Sequence, residues 1–209
     1  MPIEPFTIED FRVFDLPGFA ERMAAIRTRI RPKLESVGQN LVPPLTRIAK
    51  VEVFPHVARH ARRTVNPPDD TWVAFGADRR GYKKGPHFKV AISRHSVRFL
   101  FEVGREYPAK PEWARAWKRA VPRLARLLAK GPGLAWFKDE HDEEPAAALA
   151  DLDATGWKAL GEELTRTRDG QFVLGRRVDA REVAKWRGPD YEKAALDAFA
   201  ALGECFRVK

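Results

Sequence analysis

The stretch Arg79-Arg80-Gly81-Tyr82-Lys83-Lys84-Gly85-Pro86-His87 brings together four cations, an aromatic ring, an imidazole and two glycines. Glycine lets a backbone turn its N–H groups toward a ligand, and concavities built that way attract anions. Arg80, Lys83 and Lys84 supply charge suited to a phosphate, Tyr82 a stacking face, and His87 a titratable nitrogen. Neither Gly-x-x-x-x-Gly-Lys-Ser/Thr nor Gly-x-Gly-x-x-Gly occurs there, so the loop carries no established phosphate fingerprint. Two readings compete with phosphate or nucleic-acid binding. One is a solvated strand connection whose charges serve solubility; the other is a contact surface for a protein partner.

Upstream, His56 and His60 stand four residues apart, with Arg62, Arg63 and then Trp72 following. A spacing of four puts two side chains on one face of either a helix or a strand. Two such histidines suit a metal, but a site needs a third ligand and no His-Glu-x-x-His is present. Cations at 59, 62 and 63 also repel a divalent ion. An anion contact, an acid–base pair and a hydrogen-bonded structural pair remain as readings. The candidate anion-binding set is therefore His56, His60, Arg62, Arg63, Trp72, Arg80, Tyr82, Lys83, Lys84 and His87, with no metal and no cofactor expected. Glu102 and Glu106 are candidate bases only as any carboxylate is, and no catalytic residue is assigned. No Gly-x-Ser-x-Gly elbow appears, and Cys205 reads as a buried small hydrophobe.

Charge distribution favours the same region. The 209 residues carry a net charge of +9, and between His56 and Arg98 ten Lys or Arg face three acids. This excess biases the protein toward anionic partners. The segment Asp139 to Asp153 is acidic and reads as a solvated loop. A lone cysteine excludes an internal disulfide and a cysteine metal cluster, as in a reducing compartment. Residues 1–10 lack a basic then apolar leader, and no apolar run reaches the roughly 20 residues that cross a bilayer. These features predict a cytoplasmic protein without a membrane span.

The elements that must position these residues follow from periodicity. Thr7 to Asp10 forms a capping-box pattern opening a helix over 8–14. Phe19, Met23, Ile26, Ile30, Leu34 and Val37 keep a helical period, with a kink expected at Pro32, an end at Gly38 and a short turn after Pro43-Pro44. From Val51 the period becomes two. Thr71, Val73 and Phe75, then Phe88, Val90 and Ile92, then Val97, Phe99, Phe101 and Val103 form alternating sets, with a hairpin at His95-Ser96. With a strand near 53–60 this gives an antiparallel meander of three or four strands.

A helix over 111–130 carries the stripe Trp113, Trp117, Val121, Leu124 and Leu128, opposite a basic face of Arg115, Arg119, Arg123, Arg126 and Lys130. A strand at 134–137, a helix near 156–166, a strand through Phe172 and Leu174, a short helix capped by Asp179 and a helix over 189–206 complete the chain. The whole reads as one α+β domain, residues 1–209, with helices packed on a mainly antiparallel central sheet.

Several strings match a known family. They include Arg31-Pro32-Lys33-Leu34, His56-Val57-Ala58 with His60-Ala61-Arg62-Arg63-Thr64-Val65-Asn66-Pro67-Pro68, Thr71-Trp72-Val73-Ala74-Phe75, and Arg80-Gly81-Tyr82-Lys83-Lys84 with Pro86-His87-Phe88. On these residues the chain resembles the YktB-like family of bacterial proteins, closely over residues 6–100 and more loosely beyond. The resemblance implies an α+β fold with a mainly antiparallel sheet, of a topology grouped near the biotin/lipoate ligase catalytic domain. No biotin-binding motif is present, and the family supplies no catalytic residues.

Three functions are compatible with these residues. The first is binding of a phosphate-rich anionic ligand, a nucleic acid or nucleotide, through the basic central-sheet region. The second is an enzyme on a small anionic metabolite using His56, His60 and His87. The third is a protein-interaction module using the acidic 139–153 segment or the arginine face of the 111–130 helix.

Overall fold

The computed structural model describes residues 3–208; Met1, Pro2 and Lys209, which the 1–209 assignment and the leader reading include, lie outside the described residues. Helix α1 (Ile8–Arg12) opens on the expected capping box, with the Thr7 backbone N–H donating to Asp10 Oδ2 at 2.7 Å. Asp10 also accepts from Lys33 Nζ at 2.7 Å, which ties this first turn to a later helix.

That later helix departs from expectation. Helix α2 (Phe19–Ala25), a widened π turn (Ile26–Ile30) and α3 (Arg31–Ala49) follow one another without an intervening loop, and α3 runs through Gly38, Pro43 and Pro44. The proline ring of Pro32 crowds the carbonyl of Thr28, which lies in the widened turn that makes room for it. Gly38 does not end the helix. It is buried, and a Cβ there would lie 3.1 Å from Pro55 Cβ, so the glycine lets α3 approach the first strand closely. Lys50, in the left-handed region at φ 57°, ends the element instead.

The strands are β1 (Phe54–Val57), β2 (Asp70–Gly76), β3 (His87–Ser93), β4 (Ser96–Val103), β5 (Leu134–Phe137), β6 (Ala147–Ala148) and β7 (Phe172–Asp179). They form one seven-stranded antiparallel sheet in the order β1-β2-β3-β4-β7-β5-β6. The expected meander is its first half. The second half arises because β7 returns to pair with β4 along its whole length, and β5 then pairs with β7.

The odd-numbered set of β2 and its partners faces the main core, where Val73, Phe75, Phe88, Val90, Phe99 and Phe101 are fully buried. Helix α4 (Lys110–Leu128) lays its tryptophan stripe there, with Trp113 against Phe172 at 4.6 Å and stacked on Trp117 at 5.7 Å. Each such ring contributes roughly 2–3 kcal/mol by leaving water. Helix α5 (Ala154–Arg166) packs on α4, and α7 (Gly188–Leu202) brings Tyr191 and Phe199 onto Phe99. Asp179 caps the short α6 (Ala180–Val183) as expected, accepting from the Arg181 N–H. Cys205 follows α7 and is fully buried, which pushes its thiol well up from the usual range. No helix of the described residues is long and apolar enough to cross a membrane.

The opposite sheet face is buried too, and it is polar. All seven residues of β3 and all eight of β4 are buried, so the sheet has no open side over these strands. A small apolar cluster of Leu100, Ala135, Phe137 and Val173 covers part of this second face. The segment 138–144 covers the rest. It is not the freely solvated acidic loop that its composition suggests, because the strands beneath it carry cations that need counter-charges.

Candidate functional site

Pairing register places Asp70 and Trp72 of β2, His87 and Lys89 of β3, and Arg98 and Glu102 of β4 on this second face. Lys89 is fully buried. Its Nζ forms ion pairs with Glu140 and, at 3.7 Å, with Glu102, and lies 4.3 Å over the Trp72 ring. Burial alone would lower the ammonium pKa, but Glu102, Glu140 and Asp70 outweigh it and raise it. Burial likewise raises Glu102, yet the charges of His87 and Lys89 overcome this and hold its carboxyl at about 2. His87 Nε2 meets Glu102 Oε2 at 3.1 Å and its Nδ1 meets the Gly85 carbonyl at 2.9 Å.

A second buried pair stands beside it. Arg98, fully buried, donates to Asp70 Oδ2 at 2.7 Å and to the carbonyls of Glu140 and Asp142 at 3.1 and 2.7 Å. It thus clamps the covering segment onto the sheet. Asp70 also receives His141 Nδ1 at 3.0 and 3.1 Å. Burial pushes Asp70 up, but the His141 hydrogen bond and the Arg98 charge hold it at about 2. The same hydrogen bond raises His141 above its ordinary range. Further along, Ser96 Oγ donates to Glu143 Oε2 at 2.9 Å and Arg177 pairs with Glu144 at 3.0 Å.

Around this ionic floor stand the rings. Trp72 Nε1 donates to Tyr82 OH at 2.8 Å, and Tyr82 lies 4.8 Å from His87 and 5.8 Å from His56. Gly76 permits this, since a Cβ there would lie 2.9 Å from Tyr82 Cα. Burial raises the Tyr82 hydroxyl to about 12, so it stays protonated. Trp72 in turn meets His60 at 5.3 Å and His141 at 5.6 Å. Four of the five histidines therefore gather on Trp72 and Tyr82.

Three adjoining hollows open onto this cluster. The innermost, about 260 Å³, is lined by Trp72, Tyr82, Lys83, His87, Glu102, Gly104, Arg105, Glu106, Glu140 and His141. A cleft of about 540 Å³ shares Tyr82, Lys83 and Glu106 with it and adds His56, Asp78, Arg80, Gly81 and Lys84. Beyond lies a cleft of about 530 Å³, continuous through His56 and Arg80, which adds Arg31, Glu35, Gln39, Arg59 and Arg79. In the inner hollow the charges are matched: Lys83 pairs with Glu106 at 3.0 Å and Arg105 with Asp139 at 3.0 Å. In the outer clefts they are matched only in part: Lys83–Glu106 lines the nearer cleft as well, and Arg31 pairs with Glu35 at 3.1 Å in the farther one. Among the described residues, Arg59, Arg80 and Lys84 reach no carboxylate within ion-pair distance, and the Arg79 guanidinium lies 4.9 Å over the Phe54 ring.

The structure thus brings His56, Arg80, Tyr82, Lys83 and Lys84 into one cleft and Trp72, Tyr82, Lys83 and His87 into its inner neighbour. It separates Arg62 and Arg63, which are exposed and line none of these hollows; Arg63 instead reaches the Pro67 carbonyl at 3.5 Å. His60 is not in strand register with His56, because β1 ends at Val57. A φ of 50° turns it onto Trp72, and its Nε2 meets Thr71 Oγ1 at 3.1 Å. Burial lowers its pKa to about 4. Among the described residues no group of three His, Cys, Asp or Glu is placed to hold a metal ion.

Sequence reading missed Asp70, Lys89, Arg98, Glu140 and His141. The legible signal was Lys89 and Arg98, charged positions inside strands whose flanks are apolar, together with an acidic run long enough to neutralise them.

Fold and site define an α+β protein whose sheet carries a hydrocarbon core on one face and a roofed, ionised cleft on the other. Residues 6–206 match a family described as a domain of unknown function (DUF1054). The chain is 33% identical over 197 residues to the UPF0637 protein of Bacillus velezensis, covering 94% of this chain and 92% of that one. It is 32% identical to the UPF0637 protein of Bacillus licheniformis, over 97% and 95% of the two chains, and 36% identical to that of Shouchella clausii, over 84% and 81%. The chain belongs to this bacterial family, in agreement with the YktB-like resemblance.

Proposed function

We propose that the protein binds a small phosphate-bearing ligand of the nucleotide class in the cleft beside Tyr82. The single observation that carries this reading is the contrast in pairing. Cations of the inner hollow are matched by carboxylates, whereas Arg59, Arg80 and Lys84 line the adjoining clefts with no carboxylate at ion-pair distance. A desolvated phosphate rewards such groups with charge-assisted hydrogen bonds. The volumes of the outer clefts fall in the range of small-ligand sites, which favours a nucleotide over an extended nucleic-acid strand.

Calorimetric titration with nucleoside mono- and triphosphates, and in parallel with a single-stranded oligonucleotide, tests this. Nucleotides are expected to bind, and Arg80→Glu with Lys84→Glu to weaken binding by tenfold or more, about 1.4 kcal/mol. Preferential oligonucleotide binding with a salt slope of roughly −4 or steeper would transfer the cleft to a polymer. No binding of either at low salt removes the reading.

A further inference from the structure

His141 is the imidazole in the inner hollow with a ring nitrogen that makes no hydrogen bond to the described residues. Its Nδ1 faces both oxygens of Asp70, while its Nε2 has Glu140 Oε1 as an ion-pair neighbour at 3.8 Å, beyond hydrogen-bond reach, and the ring lines the hollow. The other ionisable groups there are engaged: His87 by Glu102 and the Gly85 carbonyl, Lys83 by Glu106, Arg105 by Asp139. Asp70 is fixed from behind by the buried Arg98, whose other bonds hold the backbone on either side of His141. A buried carboxylate that fixes one imidazole nitrogen leaves the other free to exchange a proton with whatever enters.

The hollow is also chemically unlike the cleft it joins. Its charges are balanced, so it suits the hydroxyl-bearing, uncharged part of a ligand, while the unmatched cations next door suit the phosphate. The two share Tyr82, Lys83 and Glu106, so one ligand has room to span them, with its phosphate toward Arg80 and Lys84 and its uncharged part in the hollow that His141 lines.

Resting on the phosphate-binding reading above, we propose that Asp70 and His141 form an acid–base centre that hydrolyses an alkyl phosphate monoester, such as a nucleoside monophosphate or sugar phosphate. His141 is the catalytic residue; Asp70 and Arg98 are positioning residues. Water adds at phosphorus as the bond from phosphorus to the alcohol oxygen breaks. The bonding pair stays on that oxygen, which takes the proton from His141 Nε2. The proton lost by the entering water returns to Nε2 through solvent, leaving alcohol and inorganic phosphate with no change of oxidation state. Because phosphoryl transfer passes through a loose transition state, the entering water needs little activation and the departing alkoxide most needs a proton. The Asp70 hydrogen bond raises His141, against burial and the charge of Lys89 and with that of Glu140, so the ring is poised as the acid.

The test measures phosphate release from nucleoside monophosphates, hexose phosphates and an aryl phosphate, with ligand binding followed on the same samples. His141→Asn, a substitution at an exposed ring, is expected to slow the alkyl esters by about a hundredfold or more. The aryl ester, whose phenolate leaves without a proton, is expected to lose far less. Asp70→Asn is expected to move the alkaline fall in kcat to lower pH, a shift that a purely structural role does not produce. Alkyl phosphates that bind without phosphate release, or an unchanged rate in His141→Asn, overturn the acid–base centre and leave binding standing. Absence of both binding and release overturns both readings.

Discussion

Arg98 is the residue on which the covering segment depends. It holds Asp70 and two backbone carbonyls of residues 140 and 142 from a fully buried position. Arg98→Met keeps most of the volume but leaves a buried carboxylate and two acceptors short of donors. A loss of about 3–5 kcal/mol is expected from the urea midpoint, as for other broken buried pairs; a loss under about 1 kcal/mol would show that the clamp is dispensable. Asp70 adds a pH signature. Its folded carboxyl sits at about 2 against an ordinary 3.8, so its contribution is complete above the ordinary value and disappears as pH falls through the folded one. About 2 kcal/mol of stability is therefore expected to vanish between roughly pH 4 and pH 2. Chemical denaturation across that range should show a flatter profile in Asp70→Asn.

At the scale of elements, the strands were legible and their roof was not. Period-two alternation in 71–75, 88–92 and 97–103 identifies the core face because hydrocarbon there has one place to go. The same alternation makes 70, 72, 87, 89, 98 and 102 look solvent-facing, since a polar face ordinarily meets water. What covers them is distant in sequence, and pairing between Lys89 and Glu140 or Arg98 and Asp142 leaves no local periodic trace. Gly38 and Pro43-Pro44 misled for a related reason: local propensity marks them as helix ends, whereas packing against Pro55 requires a small residue inside the helix. The basic loop 79–87 was found by composition alone, although Arg31 and Arg59, which share its cleft, were not. One element-level consequence concerns β7. Gly175 lies where β4 and β5 flank it, and a Cβ there would lie 2.3 Å from the Phe99 carbonyl oxygen and 2.6 Å from Leu100 Cδ2. Gly175→Ala is expected to cost about 1–3 kcal/mol, read by calorimetry as a fall in Tm of roughly 2–4 °C for each kcal/mol.

Across the molecule, one hydrophobic cluster runs from Ile3 to Val208 and joins α1, the sheet and α7. A core shared this widely is expected to fail all at once. Far-UV circular dichroism and tryptophan fluorescence should then trace the same urea transition, and two separated midpoints would mean that the halves melt independently.

The sealed thiol of Cys205 turns that cooperativity into something a chemist can time. With the sulfur out of contact with water and its thiolate disfavoured, a maleimide can reach it only during an excursion that opens the terminal turn Cys205–Arg207 from the core. Each alkylated molecule is then a permanent record of one opening, and the protein carries its own stopwatch for native-state breathing.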